Sequence, residues 1–319
     1  MKNILVIGAT GQIGSELTLA LRDRYGSANV VAGGHVKKPS SDKLTDSGPF
    51  ETADCLDTKA LVALLQKYHI DTIYHLPALL SATSEQNPKL AWEVNLQGLI
   101  NVLDLAKSYQ CAVFFPSSIG VFGDSTPKDK TPQDTIQRPS TIYGITKLTG
   151  ELLCTYYYQK YNLDVRGVRY PGLISYETLP GGGTTDYAVE IFYQALTQQH
   201  YSCFLREDTY LDMMYMPDAI KAAIQLMETE SSRLVHRNGY NVTAMSFSPR
   251  ELAEEIKRWI PKFQISYQID PVRQAIADSW PNSMDDQVAR KEWDWQPDYD
   301  LSRMTKDMIA KLKVKLNKK

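Results

Sequence analysis

The 319-residue sequence lacks several features that would identify its function at once. Its four cysteines are scattered without a CxxC pair, so neither a disulfide framework nor a zinc site is indicated. The five histidines show no ligand spacing, and we expect no metal. No apolar run approaches the ~18 residues of a membrane span. With 35 basic and 37 acidic residues the formal net charge is −2, and no basic stripe predicts nucleic-acid binding.

The first ten residues, MKNILVIGAT, have the pattern of a buried strand. They leave no room for a charged and then apolar leader, so we expect neither a signal peptide nor a transit peptide. Cysteines without a pairing pattern are typical of a reducing compartment. We therefore predict a cytoplasmic protein, and a mitochondrial matrix location after removal of a presequence stays open as the alternative.

Strands and helices alternate through the first half of the chain. Apolar runs at residues 3–8, 29–32, 72–76, 112–116 and 165–169 are separated by stretches with helical spacing. Repeated units of this kind predict an α/β fold, a Rossmann-type doubly wound parallel sheet, which we assign to residues 1–171. Beyond it, a Gly/Pro/Thr-rich loop and mainly helical patterns predict a smaller mixed lobe that binds substrate, over residues 172–319.

The segment Gly8-x-x-Gly11-x-x-Gly14 leaves the first strand and opens the first helix. In that context Gly8 permits a tight turn, Gly11 lets the backbone approach a pyrophosphate, and Gly14 lets the helix pack on the strand. The phosphates would then bind the free N–H groups of the helix N-terminus. The motif predicts a dinucleotide site, and the alternative is an ordinary turn between strand and helix.

The second strand is followed by residues that depart from the usual dinucleotide pattern. An Asp or Glu commonly binds the adenosine ribose there, but residues 32–38 read AGGHVKK. His35 or backbone amides would then contact the ribose, and Lys37 and Lys38 would bind a 2′-phosphate if the cofactor were NADP. We favour NAD and exposed loop lysines, because phosphate recognition usually uses a forked arginine and this stretch has none.

A YxxxK motif, Tyr143 to Lys147, places two side chains on one helix face. A nearby ammonium group lowers the pKa of a phenol, which could then take a proton from an alcohol while the alcohol carbon gives hydride to a nicotinamide. A second match, Tyr156 to Lys160, lies about 20 Å further along the same helix. We favour Tyr143, because it is near the helix N-terminus, on the side where parallel sheets bind ligands.

A serine pair, Ser117 and Ser118, follows a strand about 25 residues before Tyr143. Such a pair often serves only turn chemistry. Together with the glycine turn and YxxxK, however, it resembles the extended type of the short-chain dehydrogenase/reductase superfamily. The resemblance implies that Ser118, four residues before the aromatic of the VFG segment, supplies the catalytic hydroxyl beside Tyr143 and Lys147.

Several further stretches are similar to the short-chain-type L-threonine 3-dehydrogenases. They span nearly the whole chain, and the run GGGTTDYA at residues 181–188 is the most discriminating. The resemblance implies oxidation of L-threonine by NAD to 2-amino-3-oxobutyrate, in a homodimer. The other similar stretches are residues 117–123, 137–144, 169–175, 213–218 and 279–286.

The resemblance also implies binding residues. Cofactor contacts fall on Gly8, Gly11, Gln12, Ile13, Gly14, His35, Asp54, Cys55, Leu76, Pro77, Ala78, Asn95, Tyr143, Lys147, Tyr170, Pro171, Gly172 and Leu173. Among these, Asp54 and Cys55 would meet the adenine, and Asn95 would order the segment around it. Substrate contacts fall on Ser81, Ser118, Tyr143, Gly181, Thr184, Thr185 and Trp280.

Residues 180–186 carry three glycines followed by two threonines and an aspartate. We expect this loop to close over a small amino acid, with Thr184 or Thr185 reaching its charged groups. As the alternative, it is a linker between lobes whose Thr/Asp end caps the next helix, and one of the three polar residues is expected to do so.

Two other functions fit the same scaffold. One is a nucleotide-sugar epimerase or dehydratase, which needs a larger pocket for its nucleotide. The other is a cofactor-sensing protein that has lost its chemistry, against which the intact set of Ser118, Tyr143 and Lys147 argues.

Overall fold

The computed structural model describes residues 1–35, 42–178 and 181–317. Lys37 and Lys38, the possible phosphate ligands, and residues 179–180 at the start of the glycine loop lie outside these ranges.

The first half of the chain forms the predicted parallel sheet. Its strands are β1 (Ile4–Ile7), β2 (Val30–Gly34), β3 (Phe50–Thr52), β4 (Thr72–His75), β5 (Ala112–Phe114), β6 (Ser117–Ser118) and β7 (Val165–Arg166). Six of them pair in the order β3-β2-β1-β4-β5-β7, all parallel. This is the strand order of doubly wound dinucleotide-binding folds, so the predicted fold class is confirmed. β1 and β2 are buried along their whole length, as expected for apolar runs between two helix layers.

Helices cover both faces of this sheet. They are α1 (Gln12–Tyr25), α2 (Lys43–Asp46), α3 (Thr58–Lys67), α4 (Ser81–Gln86), α5 (Pro88–Trp92), α6 (Gly98–Tyr109) and α7 (Ile142–Tyr161). Leucines of α3 and α6 and Cys154 of α7 form one apolar layer with the sheet. The sequence predicts one helix over residues 88–109, but the turn Glu93–Gln97 between α5 and α6 has π-helical hydrogen bonding. Such insertions are frequent at functional sites, and this one carries Asn95.

The second half contains more strands than the sequence pattern predicts. They are β8 (Val168–Tyr170), β9 (Gly172–Ile174), β10 (His200–Cys203), β11 (Leu211–Tyr215), β12 (Tyr240–Asn241), β13 (Met245–Phe247) and β14 (Gln264–Tyr267). They form three small sheets, ordered β12-β8-β6, β13-β11-β9 and β10-β14. The helices are α8 (Tyr187–Thr197), α9 (Met216–Glu228), α10 (Pro249–Trp259), α11 (Pro271–Ser279), α12 (Gln287–Trp293) and α13 (Leu301–Asn317). The sequence Ser248-Pro249-x-Glu251 predicts a capping box, and α10 begins with this box.

The two halves share apolar surface. α9 packs against α1, and its side chains join Trp293, Trp295 and Leu17 in the layer on the second face of the central sheet. The division between residues 171 and 172 stays a prediction, since α9 and α12 come after it in the chain and still cover the sheet.

Within the described ranges, no helix combines the length and the apolar character that crossing a bilayer requires. The four cysteines are buried and form no disulfide. No group of three or more His, Cys, Asp or Glu side chains in residues 1–35, 42–178 and 181–317 is arranged to hold a metal ion.

Candidate active site

The glycine turn after β1 forms a close-packed cradle. Gly8 has a φ of +83°, which favours glycine, and its N–H donates to the Gly33 carbonyl at 2.9 Å. A Cβ on Gly14 would lie 2.2 Å from the Gly8 carbonyl oxygen, so only glycine lets α1 approach the turn this closely. Gly11 precedes α1, which begins at Gln12 with no side-chain cap and no acidic residue in its first turn. The cradle therefore fits a pyrophosphate on the helix N–H groups.

A cleft of about 810 Å³, its open mouth included, lies at the carboxyl ends of the parallel strands. Its size and position are typical of a ligand site in an open α/β sheet. It brings together these predicted residues: Gln12, Ile13, Leu76, Ala78, Ser81, Ser118, Tyr143, Lys147, Tyr170, Pro171, Gly172, Leu173, Thr184, Thr185 and Trp280. Its wall also contains residues that were not predicted: Leu80, Pro116, Ser117, Ile119, Gly183 and Asp186.

The start of α7 positions Tyr143 and Lys147 in the cleft wall. Thr141 caps the helix by accepting the Gly144 N–H at 3.1 Å. The Lys147 Nζ donates to the Pro116 carbonyl at 2.8 Å and lies 5.8 Å from the centre of the Tyr143 ring. Burial lowers the pKa of Lys147 to about 8. Tyr156, by contrast, is 49% exposed on the same helix.

The pKa of Tyr143 differs from the expectation. Burial raises the pKa of this phenol above its ordinary value, and the Ser118 hydroxyl beside it opposes the rise only in part. The lowering of that pKa by the Lys147 ammonium group, which the motif predicts, stays a prediction, because the shift has burial as its main cause. The close packing involves Gly120, where a Cβ would lie 3.2 Å from two Tyr143 ring atoms.

The two serines of β6 have different surroundings. The Ser118 Oγ accepts the Gly120 N–H at 3.1 Å and lies beside the Tyr143 hydroxyl. The Ser117 hydroxyl instead donates to the buried carboxylate of Glu151. Of the two hydroxyls, that of Ser118 lies next to Tyr143, and its contact with a substrate oxygen stays a prediction.

A buried ion pair behind the cleft was not predicted. Arg169 of β8 lies 2.8 Å from Glu151, and both side chains are almost fully buried. Gln137 donates to the same carboxylate at 3.2 Å, and the Arg169 guanidinium donates to the Asn241 amide oxygen at 3.1 Å. One signal was available in the sequence, since Glu151 continues the four-residue spacing from Lys147.

Asn95 and Pro77 act from behind the cleft wall. The Asn95 side chain accepts the Leu79 N–H at 2.7 Å, and its amide donates to the Leu79 carbonyl and to Thr146 Oγ1, each at 3.2 Å. It thus orders the segment after β4 and fastens it to α7. Pro77 backs the glycine turn, because a Cβ on Gly8 would lie 3.2 Å from its nitrogen.

The predicted adenosine contacts lie at the ends of β2 and β3. His35 is exposed, and its Nε2 lies 3.5 Å from the Asp54 Oδ2. The Cys55 side chain is buried against α6, where a Cβ on Gly98 would lie 2.5 Å from its Sγ. A contact between Cys55 and an adenine would therefore involve the Cys55 backbone.

The glycine loop is held by Asp186, and not in the way expected. Asp186 directly precedes α8, but its carboxylate does not cap that helix. It accepts the N–H groups of Gly182 at 2.7 Å and Gly183 at 2.6 Å, so it folds the loop back on itself. The Thr184 hydroxyl is buried in the cleft wall and makes no hydrogen bond within the described residues. Gly181 precedes this stretch and lies outside the cleft wall.

Comparison with known proteins agrees with this geometry. A family model described as the NAD dependent epimerase/dehydratase family matches residues 4–242. The chain belongs to this family. Among solved structures, it is similar to an L-threonine dehydrogenase from Clostridium difficile, with 54% identity, a TM-score of 0.97, and 99% and 98% of the two chains covered.

Two further structures are similar over nearly the whole length. One is an L-threonine dehydrogenase from Phytophthora infestans, with 50% identity, a TM-score of 0.94, and 98% and 100% of the two chains covered. The other is a monomeric L-threonine 3-dehydrogenase from a metagenome, with 46% identity, a TM-score of 0.93, and 98% and 99% covered. The family membership that the motifs suggested is therefore confirmed.

Lys147 should make the stability of the protein depend on pH in the alkaline range. Its pKa is about 8 in the folded protein against 10.5 as the ordinary value, so between these limits the unfolded chain binds more protons. The free energy of unfolding then rises with pH. Relative to Lys147→Met, the wild type should gain about 2 kcal/mol between pH 7.5 and 9.5. Urea denaturation of both proteins across this range measures the difference.

His75 provides no competing titration in that experiment. It is fully buried, and desolvation lowers its pKa to about 3, so it stays neutral throughout the range. A difference between the two proteins that does not change with pH would contradict the assignment of a buried, deprotonating Lys147.

Proposed function

We propose that this protein is an NAD-dependent L-threonine 3-dehydrogenase that converts L-threonine and NAD to 2-amino-3-oxobutyrate and NADH. The observation that carries the proposal is the single cleft in which Ser118, Tyr143 and Lys147 meet the glycine loop. Three similar solved structures, each of an L-threonine dehydrogenase, support the same substrate.

The catalytic residues have separable tasks. The Ser118 hydroxyl orients the substrate hydroxyl, and the Tyr143 oxygen takes its proton as general base. Lys147, held by the Pro116 carbonyl, keeps an ammonium group next to the ring and favours the phenolate. When bound, NAD would supply the hydride acceptor and a positively charged ring, and this charge would oppose the effect of the burial that raises the pKa of Tyr143.

The cofactor is expected to extend from the glycine turn to the wall formed by β8 and β9. Gly8, Gly11, Gln12, Ile13 and Gly14 would hold the pyrophosphate on the N-terminus of α1. The nicotinamide would then lie against β8 and β9, where Tyr170, Pro171, Gly172 and Leu173 line the cleft. Tyr170 is fixed there by donating to the Ala219 carbonyl at 2.6 Å, so this wall is rigid.

The substrate end of the cleft carries several polar side chains. Ser81, Thr184, Thr185 and Trp280 surround the space next to Ser118 and Tyr143. A buried hydroxyl without a partner costs free energy, so the Thr184 Oγ1 is best explained as a group that bonds to the amino acid.

A first experiment separates the three functions that the scaffold allows. The purified protein is mixed with NAD and either L-threonine or one of several sugar nucleotides, and NADH formation is followed by absorbance. NADH formation with L-threonine supports the proposal. Turnover confined to a sugar nucleotide favours an epimerase or dehydratase, and cofactor binding without turnover favours a sensor.

Tyr143→Phe should abolish turnover while NAD binding is retained. The variant keeps the buried ring and removes only the proton acceptor, and loss of a general base typically costs ~10²–10⁴-fold in rate. Steady-state kinetics and NAD titration of the same preparation measure the two effects. Tyr156→Phe, on the exposed face of α7, is the matched control and should retain activity. Loss of activity in the control instead would disprove the chosen helix face.

Thr184→Val should raise the KM for threonine by about tenfold and leave the affinity for NAD unchanged. The substitution keeps the shape and removes one hydrogen bond to a charged group, about 1.4 kcal/mol. Thr305→Val is the matched control, because the Thr305 hydroxyl is also buried and unpartnered but lies in α13, away from the cleft. Unchanged threonine kinetics in both Thr184→Val and Thr185→Val would mean that the loop has only a structural role.

We also propose that the protein forms a homodimer. Helices α5 and α7 pack together and expose large apolar side chains on their outer sides. Clustered exposure of this kind is typical of an interface. One similar protein is described as monomeric, so the assembly has to be measured for this chain. The exposed residues are Leu90, Trp92, Ile145, Leu152, Tyr156 and Tyr161.

Leu152→Arg should convert the dimer to a monomer in sedimentation velocity. A buried, unpaired arginine in the centre of the contact would be strongly unfavourable. Val272→Arg is the matched control, since Val272 is also 64% exposed but lies on α11. A wild type that sediments as a monomer would refute the dimer.

We place the protein in the cytoplasm, as the sequence suggests. The four buried, unpaired cysteines support a reducing compartment. Cell fractionation tests this location.

A further inference from the structure

The adenosine end of the cofactor site departs from the pattern of NAD enzymes. In a doubly wound fold, an acidic residue about 20 positions after the last glycine of the turn binds the ribose 2′-hydroxyl. Twenty positions after Gly14 stands Gly34, the last residue of β2. The acid has two effects in NAD enzymes, since it accepts a hydrogen bond from the hydroxyl and repels the 2′-phosphate of NADP.

Packing, not backbone conformation, explains this glycine. Gly34 does not have a positive φ, so its backbone would accept any residue. A Cβ at this position, however, would lie 2.7 Å from Cζ of Phe50 and 3.0 Å from Cγ2 of Thr10. The Phe50 ring, on the neighbouring strand β3, thus covers the place from which an acidic side chain would start.

Two carboxylates beside the end of β2 already have partners. Glu51 of β3 accepts from Lys67 Nζ and from the Tyr68 hydroxyl, each at 2.6 Å. Asp54 accepts the Leu56 N–H at 2.9 Å with one oxygen, and its other oxygen lies 3.5 Å from His35. The end of β2 itself therefore presents an aromatic edge and an imidazole where NAD enzymes present a negative charge.

We propose that this protein binds NADP about as well as NAD, because β2 ends on Gly34 beneath the Phe50 ring and directs no carboxylate at the adenosine 2′-position. A 2′-phosphate is then not repelled, and a 2′-hydroxyl does not gain the hydrogen bonds of an acid. The specificity-determining pair is Gly34 and Phe50. The inference concerns only the adenosine end, so it does not depend on threonine being the substrate.

Binding of the reduced cofactors, measured without threonine, tests the proposal directly. Dissociation constants of NADH and NADPH are obtained from the enhancement of their fluorescence on titration with the purified wild type. We expect the two constants to agree within about tenfold, or 1.4 kcal/mol. A preference of more than a hundredfold for NADH overturns the proposal. If both cofactors bind similarly but L-threonine is not a substrate, the proposed function is refuted and the inference about the cofactor stands.

A pair of double variants isolates the charge. Gly34→Asp combined with Phe50→Ala supplies both the carboxylate and the space for it, and Gly34→Asn combined with Phe50→Ala is the uncharged control of the same size. The aspartate variant should lose at least tenfold in NADPH affinity relative to the asparagine variant, with NADH affinity within about threefold. Equal ratios of the two constants in both variants overturn the proposal. If either variant fails to fold by circular dichroism, the wild-type ratio decides alone.

Discussion

The catalytic arrangement depends on one buried carboxylate, that of Glu151. It binds Arg169 and Ser117 at once, and so fixes α7, which carries Tyr143 and Lys147, against β6 and β8. A buried charge is stable only while its partners remain, and removing one partner of such a pair typically costs 3–5 kcal/mol. The hydrogen bond from the Ser117 hydroxyl to Glu151 thus also fixes the next residue, Ser118, beside Tyr143.

The sequence was sufficient for features that are encoded locally. The parallel sheet between helix layers follows from the alternation of apolar runs with helical patterns. The cradle follows from the spacing of Gly8 and Gly14, which lets α1 pack closely on the turn. Tyr143 could be preferred over Tyr156 from its place along the helix alone, and the exposure of Tyr156 agrees with that choice. Such features need no knowledge of distant segments.

Features for which the local pattern allows two outcomes could not be predicted. Asp186 has the sequence of a helix cap, yet its carboxylate bonds to Gly182 and Gly183, because the loop turns back and brings those N–H groups to it. Cys55 has the sequence position of an adenine contact, yet the absence of a side chain at Gly98 lets it turn into the core. The loop conformation decides between the outcomes at Asp186, and a tertiary contact decides between them at Cys55.

The two ends of the site are held by independent interactions. The catalytic end depends on the ion pair at Glu151 and on α7, whereas the adenosine end depends on the packing of Phe50 between β2 and β3. No described hydrogen bond joins His35 or Asp54 to the Glu151 cluster. A change at Gly34 therefore alters which cofactor is bound without moving Ser118 or Tyr143, since energies at separated sites that share no partner usually add.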